Sequence, residues 1–409
     1  MTKKKKKYTL KQKLLAIGPG ALVVASFTGP GTITTGTVAG AGYGYALLWT
    51  VVFAVLATIF LQFMAAKLGV VTQKGLGEAI VKQFDNPIIK NISIILIGGS
   101  IYLGCAAYIG GDFTGTALGL STITGVPTNI LGPIIGAIVF VLVLRGSIEF
   151  LTKFLLFLVG VMAFVFVVTM FIVQPDLGGV AKGLIPTIPD GALFSVIALI
   201  GTTVVPYNFF LHAARSGAFY KDPDDLELCR FDTAVTITIG GIVTAAVLIT
   251  AGTMLQGHNI TSAADMAIQL EPLLGAWAKP FLSIGLFAAG FSSAVTVPLG
   301  AAFTLAGLCG WGYDIKDKRF KIVAMSIVVI GIIISATGFN PLTIIQSAQA
   351  LNGIILPITA VFLVYVTSSK KQMHEFKNSP IMIIIGILVA AVMLILGGNS
   401  FISAISSLF

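Results

Sequence analysis

Long apolar stretches, separated by short polar or charged segments, recur along the whole chain. They fall at 14–40, 45–66, 91–120, 128–144, 150–173, 191–219, 233–255, 281–308, 322–338, 342–367 and 380–398. A helix needs about 20 apolar residues to cross roughly 30 Å of hydrocarbon. The pattern therefore predicts eleven membrane-spanning helices in an all-α polytopic membrane protein. No connection is long enough for a separate domain. Residues 1–409 read as one membrane domain: a basic N-terminal segment over 1–13, a first set of five spans over 14–173, a second set over 191–367 and an extra span over 380–398. In the connection 256–280, Thr261-Ser262-Ala263-Ala264-Asp265 predicts the start of a short helix.

Two spans carry interruptions where a membrane helix should be most regular. Span 1 contains Ser26-Phe27-Thr28-Gly29-Pro30-Gly31-Thr32-Ile33-Thr34-Thr35, and span 6 contains Gly201-Thr202-Thr203-Val204-Val205-Pro206-Tyr207-Asn208-Phe209-Phe210-Leu211-His212. Proline removes a backbone donor and clashes with the preceding turn, while glycine weakens the helix. Freed backbone groups at membrane depth are tolerated only where they face protein or a water-filled cavity. The two breaks lie five spans apart, as they would if spans 1–5 and 6–10 were inverted repeats. Paired interruptions in corresponding segments point to the binding site of a secondary transporter. The candidate substrate-binding residues at the breaks are Thr28, Gly29, Gly31, Thr32, Thr34, Thr35, Thr202, Thr203, Tyr207 and Asn208. For each threonine, bonding to its own helix backbone is the competing explanation.

Composition sharpens this picture. The chain is 56% hydrophobic and 10% charged, with a mean hydropathy of +0.99; soluble domains carry about 25% charged residues. Its net charge of +9 is explained by topology and is no footprint of nucleic-acid binding. Among the basic residues, Lys182 and Lys279 alone fall in connections on the side opposite the N-terminus. The positive-inside rule then places the N-terminus in the cytoplasm and the C-terminus outside the cell membrane. The run Lys3 to Lys7, with Lys11 and Lys13, precedes the first span, and the Gly18-Pro19-Gly20 break argues against a secretory signal peptide. Cys105, Cys229 and Cys309 show no pairing or metal-ligand spacing and read as small apolar fillers. No nucleophile–base set or cofactor loop is visible, so neither an enzyme nor a bound cofactor is expected. The expected partners are a small-molecule or ion substrate, protons and the lipid bilayer, with the chain acting as a monomer.

Several stretches resemble a known family. They are Ile17-Gly18-Pro19-Gly20, Gly42-Tyr43-Gly44-Tyr45-Ala46-Leu47-Leu48-Trp49, Ala65-Ala66-Lys67-Leu68-Gly69-Val70-Val71-Thr72, Val173-Gln174-Pro175-Asp176 with Gly178-Gly179, and Ile185-Pro186-Thr187-Ile188-Pro189-Asp190-Gly191. Over most of its length the chain resembles the NRAMP (natural resistance-associated macrophage protein) family of proton-coupled divalent-metal transporters. The resemblance implies a LeuT-like fold of eleven or twelve spans, with an inverted five-plus-five repeat and spans 1 and 6 broken. It also exposes departures. Where the family's first break reads Asp-Pro-Gly-Asn, with the Asp and Asn on the metal, this chain has Gly29 and Thr32. Where the second reads Met-Pro-His, it has Val205-Pro206-Tyr207. The family's glutamate in span 3 corresponds to Asp112, and its second histidine in span 6 to His212. A polar position in span 10 is taken by Ala350, with Gln349 and Asn352 beside it.

These departures remove the usual acid, amide and thioether, so no metal ligand is assigned; the family's positions are Gly29, Thr32 and Val205. Half-helix restarts near Gly31-Thr32 and Tyr207-Asn208, unopposed by an aspartate, expose N–H groups and the positive end of a helix dipole. With Gln349, Asn352 and the hydroxyls, they suit a small carboxylate anion (citrate-like), alone or as a divalent-metal complex. Arg215, three residues beyond His212, joins this set if both share one face, although a charge near a span end also fits snorkelling to the interface. Asp112, an acid at membrane depth, and His212 are the proton-coupling candidates; Glu149 and Asp232 lie near span ends. The alternatives are a divalent-cation transporter with altered selectivity, for Mg²⁺ or Mn²⁺, and a receptor-like protein that has kept the fold and lost transport.

Overall fold

The computed structural model describes residues 8–145 and 149–406; the basic run Lys3 to Lys7 and the Glu149 side chain lie outside the described part. Ten segments are long and apolar enough to cross a membrane. The split pair Pro19–Phe27 and Pro30–Tyr43 supplies the eleventh span, each half being too short alone. The others are span 2 (Leu48–Thr72), span 3 (Pro87–Thr124), span 4 (Thr128–Arg145) and span 5 (Glu149–Ile172). Span 6 is again split, into Leu193–Thr203 and Tyr207–Phe219. Span 7 (Leu226–Met254), span 8 (Ala278–Cys309), span 9 (Lys318–Ala336), span 10 (Pro341–Ser368) and span 11 (Pro380–Ser406) complete the set. No strand occurs among the described residues. Span 3 is longer than its sequence boundaries at both ends. Asn86 caps it and Pro87 opens it, which lengthens it to 38 residues. Between spans 7 and 8, Ser262 and Asp265 form a capping box that starts the short helix Ala263–Ala267.

Both breaks have the same local cause. The first half of span 1 ends as the Thr28 N–H bonds to the Val24 carbonyl at 2.9 Å. Gly29 is then extended (φ −106°, ψ −171°), and Pro30 opens the second half. The first half of span 6 ends as the Val204 N–H bonds to the Ile200 carbonyl at 2.8 Å, and Tyr207 restarts the helix after Pro206. A residue before proline is pushed out of the helical region, so each break is written in a few adjacent residues.

Packing then assembles the broken spans. Span 3 lies against spans 8 and 10, the first half of span 6 against span 10, its second half against span 2, and the second half of span 1 against span 7. Gly115 and Gly290 leave room for the Pro30 ring, so the first break sits directly between spans 3 and 8. Gly201 lets the first half of span 6 press on the Gln349 carbonyl of span 10; a Cβ there would overlap that backbone atom. At the other end of span 1, Asp232 of span 7 accepts hydrogen bonds from the Gly18 N–H (3.2 Å), the Gly20 N–H (2.8 Å) and the Tyr220 hydroxyl (3.3 Å). Asp232 thus anchors the start of the first half-helix.

Candidate functional site

The two breaks face each other inside the bundle. Thr32 donates its hydroxyl to the Phe27 carbonyl, and its oxygen lies 3.0 Å from that of Thr202. On the opposite side of the first break, the Ser26 hydroxyl stands 2.9 Å from Asn208 Oδ1. The breaks are therefore cross-linked by side chains on both flanks. Span 3 brings Asp112 beside them. An ideal Cβ built on Gly29 would lie 3.8 Å from Asp112 Oδ1 and 3.9 Å from Ser293 Oγ of span 8. This corrects the expectation of a first break unopposed by an acid. Gly29 carries no carboxylate, and the side chain of Asp112 reaches the space left by its missing side chain.

Burial around this point is close to complete: Thr28, Asp112 and Ser293 are at most 4% exposed, and Tyr207 and Asn208 at most 1%. The site is shut off from solvent in this conformation. Many of its polar atoms have no protein partner: Thr28 Oγ1, Asp112 Oδ2, Ser293 Oγ, the Tyr207 hydroxyl, Asn208 Nδ2, Gln349 Oε1 and Asn352 Nδ2. A buried unpartnered polar group costs about 1–3 kcal/mol, more if charged. So many around the two breaks mark a place built to receive something polar.

The predicted residues divide into several groups. Thr28, Gly29, Asp112, Tyr207 and Asn208 come together at the breaks. The Gln349 side chain packs on Gly31, and Asn352 Oδ1 lies 3.2 Å from the Cβ position of Gly104 on span 3. Thr32 and Thr202 are engaged with each other, and Thr203 donates to the Leu199 carbonyl of its own helix at 3.3 Å. These three hydroxyls brace the breaks, with the packing role that intrahelical threonine bonds have elsewhere. Thr34 and Thr35 are buried in the second half of span 1 with unpartnered hydroxyls. Gly29, Thr32 and Val205, the positions where the resemblance implied metal ligands, hold no acid, amide or sulfur, and Ala350 is likewise a small apolar residue.

His212 and Arg215 do not share a face. His212 is buried, its Nδ1 3.0 Å from Gln62 Oε1 of span 2. Arg215 is exposed and lies over the Phe303 ring at 5.8 Å. The second half of span 6 packs on span 2 along one side, which takes His212 inward and leaves Arg215 on the other side. Arg215 is thus placed apart from the breaks, contrary to the expectation that it joins them.

Sequence reasoning missed Ser26, Tyr108, Ser293 and Gln62. Tyr108 donates to the Ser26 carbonyl at 3.4 Å and meets the Tyr207 ring edge-on at 6.1 Å between centroids. Its position four residues before Asp112, on one helix face, was a usable signal. Ser293 and Gln62 carry none, because only the approach of spans 8 and 2 makes them neighbours of the site. Among the described residues, no group of three or more His, Cys, Asp or Glu side chains could hold a metal. Any cation here would be bound through oxygen, with Asp112 the acid at the first break.

Comparison with known proteins fits this geometry. The family model for natural resistance-associated macrophage protein-like (Nramp) proteins matches residues 20–403. The divalent metal cation transporter MntH of Yersinia pestis (strain Pestoides F) is 29% identical over 405 residues, covering 96% of this chain and 95% of that protein. The MntH of Klebsiella pneumoniae subsp. pneumoniae is 29% identical over 401 residues, covering 95% and 94%. Among solved structures, the manganese transporter of Eremococcus coleocola, in complex with an aromatic bis-isothiourea substituted compound, superposes with a TM-score of 0.78. It is 22% identical and covers 97% of this chain and 88% of that one. MhsT in complex with L-phenylalanine gives a TM-score of 0.61 at 16% identity, covering 98% and 100%. These likenesses agree with the expected LeuT-like arrangement and with a transporter rather than an enzyme. With the family model matching nearly its whole length, this chain belongs to the Nramp family of multi-pass membrane transporters.

Proposed function

We propose that this chain carries a divalent metal as its complex with a small carboxylate anion, coupled to protons. The observation that carries the reading is the mixed character of the site. One acid, Asp112, faces Gly29, and around the breaks lie unpartnered donors: the Tyr207 and Thr28 hydroxyls and Asn208 Nδ2. A bare divalent ion beside a single carboxylate would leave a net positive charge in a closed, poorly solvated site, which is costly. A carboxylate arriving with the metal supplies the second negative charge and further oxygen ligands. Its outer oxygens then accept from the free N–H and O–H groups. The relatives' names, divalent metal cation transporter and manganese transporter, support the metal half. The absent thioether disfavours soft metals and leaves Mg²⁺ and Mn²⁺ as the matching ions.

Asp112 takes the proton or the metal in turn at the centre of the bundle. His212, one turn beyond Asn208 and held by Gln62, gives protons a second buried position on the way to the basic side. That side is the cytoplasmic one by the distribution of lysine and arginine, which places the C-terminus outside the cell membrane. The protein acts as a monomer of one membrane domain, and its two broken spans supply the alternating access.

Uptake into proteoliposomes tests this reading directly. Manganese or magnesium is offered alone, with citrate, and after citrate is replaced by chloride, with and without an inward proton gradient. Uptake that requires metal and citrate together, and that the gradient accelerates, is the expected result. A second reading, transport of bare Mg²⁺ or Mn²⁺, is favoured by the relatives' names and by the all-oxygen site; metal uptake without any carboxylate would establish it. No uptake under any condition would overturn both and leave a receptor-like role.

A further inference from the structure

A cavity of about 630 Å³ opens on the side of the bundle that the basic residues assign to the cytoplasm. Its inner wall includes Leu22, Leu211 and Thr296. Each stands about one helical turn from a residue at the breaks: Leu22 from Ser26, Leu211 from Asn208 and Thr296 from Ser293. Three different elements thus step from the closed site to this cavity in the same direction. Its outer wall carries Arg145, Arg215, Lys316 and Lys321, and none of the described residues that line it is an acid. Two acids close in sequence to Lys316 are engaged in local contacts. Asp317 pairs with Arg319 at 2.7 Å, and Asp314 accepts the Lys316 N–H at 2.8 Å.

We propose that this cavity is the cytoplasmic mouth of the transport path and binds the carboxylate groups of the cargo. A mouth lined by cations concentrates anions and repels a bare divalent ion. It suits a metal only where the metal travels inside a complex of zero or negative charge. The Arg215 guanidinium presents a planar fork of donors that matches a carboxylate in two parallel hydrogen bonds. The volume is in the range of small-molecule sites, about 300–1,000 Å³. Arg215 thereby acquires a role on the path although it stands apart from the breaks. The proposal deepens the metal–carboxylate reading and rests on it for the identity of the anion.

The test titrates metal-free citrate by calorimetry into the purified full chain, held in phosphatidylcholine nanodiscs, and runs metal–citrate uptake in parallel. The wild type is expected to bind citrate, and the double variant Arg215→Gln/Lys316→Gln to bind it at least fivefold more weakly with an unchanged unfolding temperature. Arg215→Lys, which keeps the charge, recovers part of the loss, whereas Arg319→Gln, outside the cavity, changes nothing. Asp112→Asn is expected to lose uptake yet keep citrate binding. Unchanged binding in the double variant, or no citrate binding by the wild type, overturns the proposal. Binding that is sensitive to the double variant, together with uptake of metal that ignores citrate, would uphold the cavity and refute the cargo reading.

Discussion

Replacing Gly29 by aspartate puts at the first break the acid that the resemblance implied there, and its consequences can be worked from the structure. The backbone at Gly29 is extended (φ −106°, ψ −171°), which any residue adopts. A Cβ there meets its nearest neighbours, Asp112 Oδ1 and the Ser293 Cβ, at 3.8 Å, an ordinary contact. The side chain therefore fits, and the new carboxylate stands beside that of Asp112. Two unit charges about 4 Å apart repel by roughly 4 kcal/mol at an effective dielectric constant near 20. A divalent ion between them relieves that repulsion and no longer needs a carboxylate from the cargo. If half of the repulsion is recovered on binding, metal affinity rises by more than tenfold, since about 1.4 kcal/mol is a factor of ten. The assay is calorimetric titration of Mn²⁺ into Gly29→Asp, Gly29→Ala and wild type in carboxylate-free buffer, followed by uptake with and without citrate. Gly29→Asp is expected to bind Mn²⁺ at least tenfold more tightly than wild type and to lose its dependence on citrate, while Gly29→Ala behaves as wild type. A folded Gly29→Asp protein that binds Mn²⁺ no better than wild type would refute the placement of Asp112 as the acid of this site.

Other consequences follow from single contacts. Asp112→Asn keeps the shape of the side chain and removes its charge, so proton-driven uptake is expected to fall at least tenfold while the circular dichroism spectrum stays that of the wild type. Val205→Met returns a thioether to the second break; calorimetry should show tighter Cd²⁺ binding with little change for Mg²⁺, and equal gains for both would argue against a position at the site. Asp232→Ala removes the acceptor of the Gly18, Gly20 and Tyr220 donors. It is expected to cost about 2–4 kcal/mol for lost hydrogen bonds to a charged group and to lower the unfolding temperature in a thermal-shift assay. Gly201→Ala forces a Cβ into the Gln349 carbonyl. Poor expression or a lowered unfolding temperature is the expected outcome, and a variant as stable as wild type would contradict that packing.

Much of this protein was legible from local sequence because its causes are local. Span number follows from the length of apolar stretches against the thickness of hydrocarbon. The two breaks follow from Gly29-Pro30-Gly31 and Val205-Pro206, where proline and glycine act on their immediate neighbours. The capping box of Ser262 and Asp265 was readable for the same reason. That Gly29, Thr32 and Val205 bring no acid, amide or sulfur to the breaks is likewise plain in the sequence.

Only the tertiary structure decided what surrounds the two breaks. That Asp112 stands at Gly29 depends on span 3 and span 8 meeting over Pro30, which requires Gly115 and Gly290 from two distant segments. That Thr32 and Thr202 brace each other, instead of pointing at cargo, depends on how the two broken helices cross. Spacing put Arg215 with His212, but the packing of span 6 on span 2 turned His212 toward Gln62 and left Arg215 on the wall of a cavity shared with Arg145, Lys316 and Lys321. A helix sequence sets which residues can share a face. The direction each face takes, and which partners it meets there, are set by the other helices packed around it.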